Sequence, residues 1–256
     1  MPPADDGCKP LQGHRGGGIS YKSVAMPGTP AISVIIPVRN RAGARLENCL
    51  RSLRGQRLEP HIAEVVISDF GSDPASLADV RRLAERFDAR VVETATEEVW
   101  NRSRALNHGI QAARGEFIFC TDADMIFAPN FLQVAIDAQR DAGGEALVVC
   151  RCRDLPGSVP EQPRETSAFP ALLEQSSYRE ALGTGACQIA RRTFFEAVRG
   201  YDERFVFWGM EDNDMLFRAR ATGLEVLWIH EQTAMLHQWH PSSRGARPLR
   251  KFLNDA

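Results

Sequence analysis

The chain has 256 residues, a formal net charge of -2 and 43% hydrophobic residues, the make-up of a globular protein with ample length for a buried core. That charge balance gives no bulk electrostatic pull toward nucleic acid, and no apolar run approaches the ~20 residues of a membrane span. Residues 1–30 are rich in Gly and Pro and lack the basic-then-apolar pattern of a secretory signal, so they read as a disordered tail.

Ala31–Val38 is a short, β-branched, nearly continuous apolar run, as expected of a strand buried on both faces and ending near Pro37, which cannot donate to a ladder. Arg41–Arg54 places Leu46, Cys49, Leu50 and Leu53 at helical spacing. Glu64–Ser68 reads as a second strand, running into Asp69-Phe70-Gly71-Ser72-Asp73. Pro74 and Ser76 then open a helix to about Phe87. Arg90–Glu93 is a third strand, Ser103–Ala113 a helix, Glu116–Cys120 a fourth strand, Phe131–Ala142 a helix and Ala146–Arg151 a fifth strand. From Asp154 to Arg179 the alternation breaks into a long excursion beside the site. Gly183–Ala190 returns to strand-like sequence, Thr193–Val198 and Asp212–Thr222 are helical, and Glu225–Ile229 is a last strand before a tail holding His237 and His240.

Strands alternating with helices predict βαβ units and a single Rossmann-like, mostly parallel sheet, with ligands outside the carboxyl ends of its strands. The ends placed there are Arg39-Asn40-Arg41, Asp69-Phe70-Gly71-Ser72 and Asp122-Ala123-Asp124, all polar. The six cysteines form no CxxC pair and several sit in apolar runs, which reads as buried free thiols rather than zinc ligands.

Two acidic segments carry the chemistry. Asp122 and Asp124 are two apart, so in extended chain they point the same way and both can reach one Mn²⁺ or Mg²⁺ that holds a phosphate. Asp69, at a neighbouring strand end, can accept a hydrogen bond from a uracil N–H, and Arg102 or Arg104 can reach the nucleotide phosphates. Glu211 and Asp212 open a helix whose dipole favours their ionised forms and lowers their pKa. Trp208-Gly209 before them offers an aromatic sugar platform and a flexible residue. The reading is Asp212 as general base and Glu211 as a hydroxyl ligand. His237 is the expected third metal ligand beside Asp124, with His240 as the alternative.

Ile32–Arg41, Asp69–Ser72, Arg104–Ile110 and Gly115–Asp124 resemble the nucleotide-sugar half of inverting GT-A glycosyltransferases of family two. Gly200-Tyr201-Asp202-Glu203 and Phe207–Asp214 resemble the C-terminal block of galactosyltransferases, polypeptide GalNAc-transferases and bacterial chondroitin-polymerase modules. The resemblance implies a GT-A fold with a nucleotide-sugar half over residues 31–125, an acceptor-side, catalytic half over 126–241 and a short tail over 242–256. It implies a UDP-sugar donor, an Mn²⁺ ion and a hydroxyl acceptor. Pro37, Arg39, Asp69, Arg102, Arg104, Asp122, Ala123 and Asp124 would face the donor, Asp122, Asp124 and His237 the metal, Trp208, Gly209 and Glu211 the sugars, and Asp212 would act as base. Met210 and Phe70 depart from the pattern, standing where Gly and an acid or amide are frequent. No stem or anchor resembling that of Golgi relatives is seen, which implies a cytoplasmic enzyme of bacterial type. Two other readings are a nucleotidyltransferase, against which the glycine-free Pro37–Arg41 segment argues, and a non-catalytic nucleotide-sugar-binding module, against which both intact acidic clusters argue.

Overall fold

The computed structural model describes residues 29–59, 62–180, 183–206 and 209–241. The two expected tails, apart from residues 29 and 30, and the proposed platform Trp208 lie outside the described residues.

The first half alternates as the spacing predicts: β1 Ile32–Val38, α1 Ala44–Arg54, β2 Ala63–Phe70, α2 Pro74–Arg86, β3 Arg90–Thr94, α3 Arg102–Ala112 and β4 Phe117–Cys120. Local chemistry sets the helix starts. Asp73 accepts from the Ser76 amide with Pro74 in the first turn of α2, and Asn101 accepts from the Arg104 amide to open α3. Every residue of β1 is buried, and its apolar side chains each contribute about 1.5–3 kcal/mol by leaving water. Contrary to expectation, β1 does not stop at Pro37. Its ladder with β4 ends at Ile35–Cys120, so beyond that pair the strand follows β2 alone as far as Val38–Asp69.

The second half contains β5 Met125–Phe127, α4 Phe131–Asp141, β6 Ala146–Val149, β7 Cys152–Asp154, α5 Phe169–Gln175, β8 Ser177–Tyr178, β9 Gln188–Arg191, α6 Arg192–Ala197, α7 Glu211–Ala221, β10 Glu225–Trp228 and β11 Met235–His237. The central sheet runs β10-β6-β9-β4-β1-β2-β3 and is parallel except for β9, which is antiparallel to both neighbours. α1, α2 and α4 cover one face, through Leu46, Leu50, Val80 and Phe131. α3, α6 and α7 cover the other, through Leu106, Phe195 and Met215. From β1 the chain winds outward to β2 and β3, while β4 lies on β1's other side, so the strand order reverses between β1 and β4.

A second sheet, β5-β11-β7-β8, lies outside the predicted pattern. The excursion from Asp154 to Arg179 supplies β8, a short 3-10 helix Thr166–Ala168 and α5. It is held down because Phe169 and Leu172 bury with Leu155, Ile126, Ala128 and Leu236. Likewise His237 belongs to β11 rather than to a tail. Among the described residues no helix is long and apolar enough to cross a membrane, and Cys49, Cys120, Cys150, Cys152 and Cys187 are buried free thiols.

Candidate active site

A cleft of about 1060 Å³ opens where the strand order reverses, at the carboxyl ends of β1 and β4. Pro37 enters it from the end of β1, Arg39 and Arg41 just after β1, and Asp122, Ala123 and Asp124 after β4. The small sheet brings Asp154 and His237, and His240 follows His237 into the same wall. Glu211 and Asp212 open α7, and Gly209 lies just before it. The two acidic segments, ninety residues apart in sequence, therefore border one space.

Asp124, His237 and His240 each offer a ligand atom within 4.8 Å of the others. His240 Nε2 stands 3.2 Å and His237 Nε2 3.8 Å from Asp124 Oδ2, with Arg41 at 3.9 Å. Burial disfavours charge on Asp124, but the His240 hydrogen bond and the charges of His237, His240 and Arg41 hold its pKa below the ordinary value. The same bond to Asp124 raises the pKa of His240. One carboxylate and two imidazoles, with one side open to the cleft, fit a divalent transition ion such as Mn²⁺ better than Mg²⁺, which prefers oxygen alone. Asp122 is not brought into this cluster, because its carboxylate lies 2.8 Å from the Arg102 guanidinium instead.

Arg102 ties the two acidic segments together. It contacts Asp122, donates to the Gly185 carbonyl at 2.8 Å and lies 3.6 Å from Glu211, with its side chain only 8% exposed. Burial opposes its charge, but Asp122 and Glu211 outweigh that and raise its pKa. The expected lowering of the Glu211 pKa does not occur. Burial raises it, with Arg102 and the Gly209 amide pulling only partly the other way. A helix terminus is a weak field beside removal of a carboxylate from water. Glu211 is thus buried and engaged, and the Asp212 side chain lines the cleft.

A relay of buried polar groups holds Asp212 in place. Asn107 binds the Tyr201 amide and carbonyl at 2.8 and 2.9 Å, the Tyr201 hydroxyl donates to Gln188, and the Gln188 amide donates to the Asp212 carbonyl at 2.8 Å. The Gly200-Tyr201-Asp202 block therefore supports the site from beneath. Just before α7, Met210 adopts φ 73°, a left-handed conformation that disfavours a side chain, and follows Gly209 at φ 113°.

Two expected donor residues are not in the cleft lining. Asp69 is buried and turned onto its own loop, where Oδ1 accepts from the Ser72 amide, although Oδ2 has no hydrogen-bond partner. Arg104 lies over the Phe70 ring and pairs with Glu98 and Glu203. Phe70 itself packs against Trp100 and His108. Sequence reasoning missed Asp154, Arg179 and Gln188. The strands carrying or preceding them have only two to four residues, too few to show a period.

Residues 33–199 match glycosyl transferase family 2, and residues 165–240 match the N-terminal domain of galactosyltransferase. The O-antigen biosynthesis protein RfbC of Myxococcus xanthus is 28% identical over 85% of this chain and 18% of its own length. Validoxylamine A glucosyltransferase of Streptomyces hygroscopicus subsp. limoneus is 26% identical over 80% of this chain and 52% of its own. The chain thus spans less than two thirds of the length of these curated relatives. Among solved structures, GalNAc-T7 with UDP, GalNAc and Mn²⁺ superposes with TM-score 0.64 at 17% identity, over 84% of this chain and 45% of that one. S. aureus TarS 1-349 in complex with UDP-GlcNAc gives 0.63 at 16% identity, over 82% and 59%. The mannosyltransferase PcManGT of Pyrobaculum calidifontis, in complex with GDP-Man and Mn²⁺, gives 0.60 at 22% identity, over 87% and 61%. A reversing parallel sheet, a polar cleft at its switch point and a match that runs from β1 through α6 lead to one conclusion: the chain has the GT-A fold and belongs to glycosyl transferase family 2.

Proposed function

We propose that the chain is a metal-dependent inverting glycosyltransferase that moves a hexose or N-acetylhexosamine from a UDP-sugar to an acceptor hydroxyl. The observation that carries this reading is a single cleft lined both by the Asp124, His237 and His240 cluster and by Asp212. A single displacement needs these two groups on one space, one to stabilise the leaving diphosphate and one to take a proton.

Asp124, His237 and His240 would hold the cation, which when bound supplies Lewis-acid stabilisation of charge on the departing phosphate. Asp212 accepts the proton of the acceptor hydroxyl as the new bond forms between that oxygen and the anomeric carbon. The bond to UDP breaks and its electron pair leaves with the β-phosphate oxygen. Glu211 and Gly209, with Trp208 before them, contact sugar hydroxyls and the ring. Pro37, Arg39, Asp122 and Ala123, which line the cleft, border the donor, and Asp69, buried outside that lining, reaches the uracil N–H only if its loop turns toward the cleft. Arg102 acts from below by fixing Asp122 and Glu211, while Arg104, outside the cleft lining, packs on Phe70 and pairs with Glu98 and Glu203.

The test is a panel of UDP-sugars, hydrolysed or transferred with and without Mn²⁺, with the product anomer read by NMR. Turnover that requires Mn²⁺ and inverts the anomeric centre is expected. Asp212→Asn should lower the rate by about 10²–10⁴ while leaving Mn²⁺ binding unchanged. Near-normal turnover by that variant refutes the base assignment.

A further inference from the structure

Residues from four separated segments stand in one row across the small sheet. His237 closes β11, and its register partner on antiparallel β5 is Met125, directly after Asp124. Its partner on parallel β7 is Asp154, which pairs in turn with Ser177 of β8, two residues before Arg179. The side chains follow the register. His237 Nε2 faces Asp124 Oδ2 at 3.8 Å, and His237 Nδ1 lies 3.0 Å from Asp154 Oδ1. Asp154 is also clasped by the Arg179 guanidinium, Nε donating to Oδ2 at 3.0 Å and Nη2 to Oδ1, the oxygen that faces His237, at 2.6 Å.

The neutral imidazole has one N–H, and the nitrogen that lacks it is the one able to bind a metal. An ionised carboxylate only accepts, so the nitrogen facing Asp154 must carry the hydrogen. That leaves the Nε2 lone pair directed at the Asp124 and His240 cluster. Arg179 serves Asp154 in the same way, since a two-pronged ion pair fixes the carboxylate's rotamer and keeps it charged. Neither Asp154 nor Arg179 belongs to the ligand cluster itself.

We propose that Asp154 and Arg179 are positioning residues that fix the ring orientation and tautomer of His237, so that Nε2 is presented to a divalent cation shared with Asp124 and His240. This rests on the cation reading given above. It adds that cation affinity is set by a pair outside the ligand set, carried on the segment between residues 154 and 179.

The experiment is calorimetric titration of the full chain with MnCl₂, on wild type, Asp154→Ala, Arg179→Gln and His237→Ala, with thermal melts of each. Imidazole ¹⁵N shifts of His237, recorded without metal at a pH where the ring is neutral, give a second readout. Asp154→Ala is expected to weaken Mn²⁺ binding about 10–100-fold, the usual effect of losing a partner of a ligating histidine. Its ¹⁵N shifts should show loss of the hydrogen from Nδ1. Arg179→Gln should move both readouts in the same direction and by no more. A purely structural pair would shift the melting temperature and leave Mn²⁺ affinity and tautomer unchanged, and that result overturns the proposal. If wild type itself takes up no Mn²⁺, the cation reading falls and takes this inference with it. If wild type binds and Asp154→Ala binds equally well, only the positioning role falls. Should Asp154→Ala fail to fold, Arg179→Gln, which leaves the carboxylate in place, carries the comparison.

Discussion

Arg102 offers a severe test of how the two acidic segments are held. Arg102→Met keeps much of the stem and removes the charge. The variant loses the 2.8 Å contact to Asp122, the 3.6 Å contact to Glu211 and the hydrogen bond to the Gly185 carbonyl. The two carboxylates weigh differently. Glu211 is 5% exposed, so its charge would be left buried with the Gly209 amide but no cation beside it, and removal of one member of such a pair costs about 3–5 kcal/mol. Asp122 is 36% exposed, and water takes over most of its lost interaction, so that limb adds less than about 1 kcal/mol. The long Glu211 contact and the remaining Gly209 amide place the total toward the lower end, at about 3 kcal/mol. For a chain of this size that lowers Tm by about 6–12 °C. The assay is urea unfolding at neutral pH and again near pH 5. Without Arg102 the Glu211 pKa, already raised by burial, rises further. A carboxyl raised in the folded state gives stability that is present at low pH and lost as pH climbs. The deficit of Arg102→Met should therefore shrink in acid, and adding Glu211→Gln should recover at least half of it at neutral pH. A variant within about 1 kcal/mol of wild type at neutral pH would refute the reasoning, because no buried carboxylate would then have depended on Arg102.

Two further outcomes concern stability rather than catalysis. Met210→Gly should stabilise the protein by about 1 kcal/mol, since the left-handed φ of 73° strains any side chain; urea midpoints measure it, and a loss of stability would show that the Met210 side chain contributes more than its backbone costs. Glu64 is partly buried, and the hydrogen bonds from Ser33 and Arg114 outweigh that burial to lower its pKa below the ordinary 4.5. Its contribution is therefore complete above that value and fades as pH falls through the lower folded value. Glu64→Gln should flatten the acid limb of a stability–pH curve, and an unchanged limb would contradict the assignment.

The central sheet was legible because its strands announce themselves. The run from Ile32 to Val38 is apolar on both faces, and Leu46, Cys49, Leu50 and Leu53 repeat at helical spacing, so pattern and burial agree. The antiparallel direction of β9 was not legible, since a four-residue strand reads alike in either direction. The small sheet escaped notice for a related reason. β5, β7 and β11 have three residues each and β8 two, and what makes them strands is one another. That Asp124, His237 and Asp212 line the cleft follows local context legible in the sequence, as acids or an imidazole beside an apolar segment or a helix start. Asp122 and Glu211 do line the cleft, but their shared partner was not legible, because nothing in the linear order says that Arg102 lies between them. The direction of the Glu211 shift shows the same limit. The helix start is visible in sequence, but the depth of burial that overrides it is not.

The row Asp124, His237, Asp154 and Arg179 also says something about assembly in time. Its members lie in β7 and β11 or directly beside β5 and β8, and His240 completes the cluster near the end of the described chain. β1 to β4, with the helices between them, need nothing from that distant segment to pair with one another. A chain emerging during synthesis can thus shape the first half of its cleft well before it owns a complete ligand set. The three residues proposed to hold a cation come together only once β11 has paired with β5 and β7.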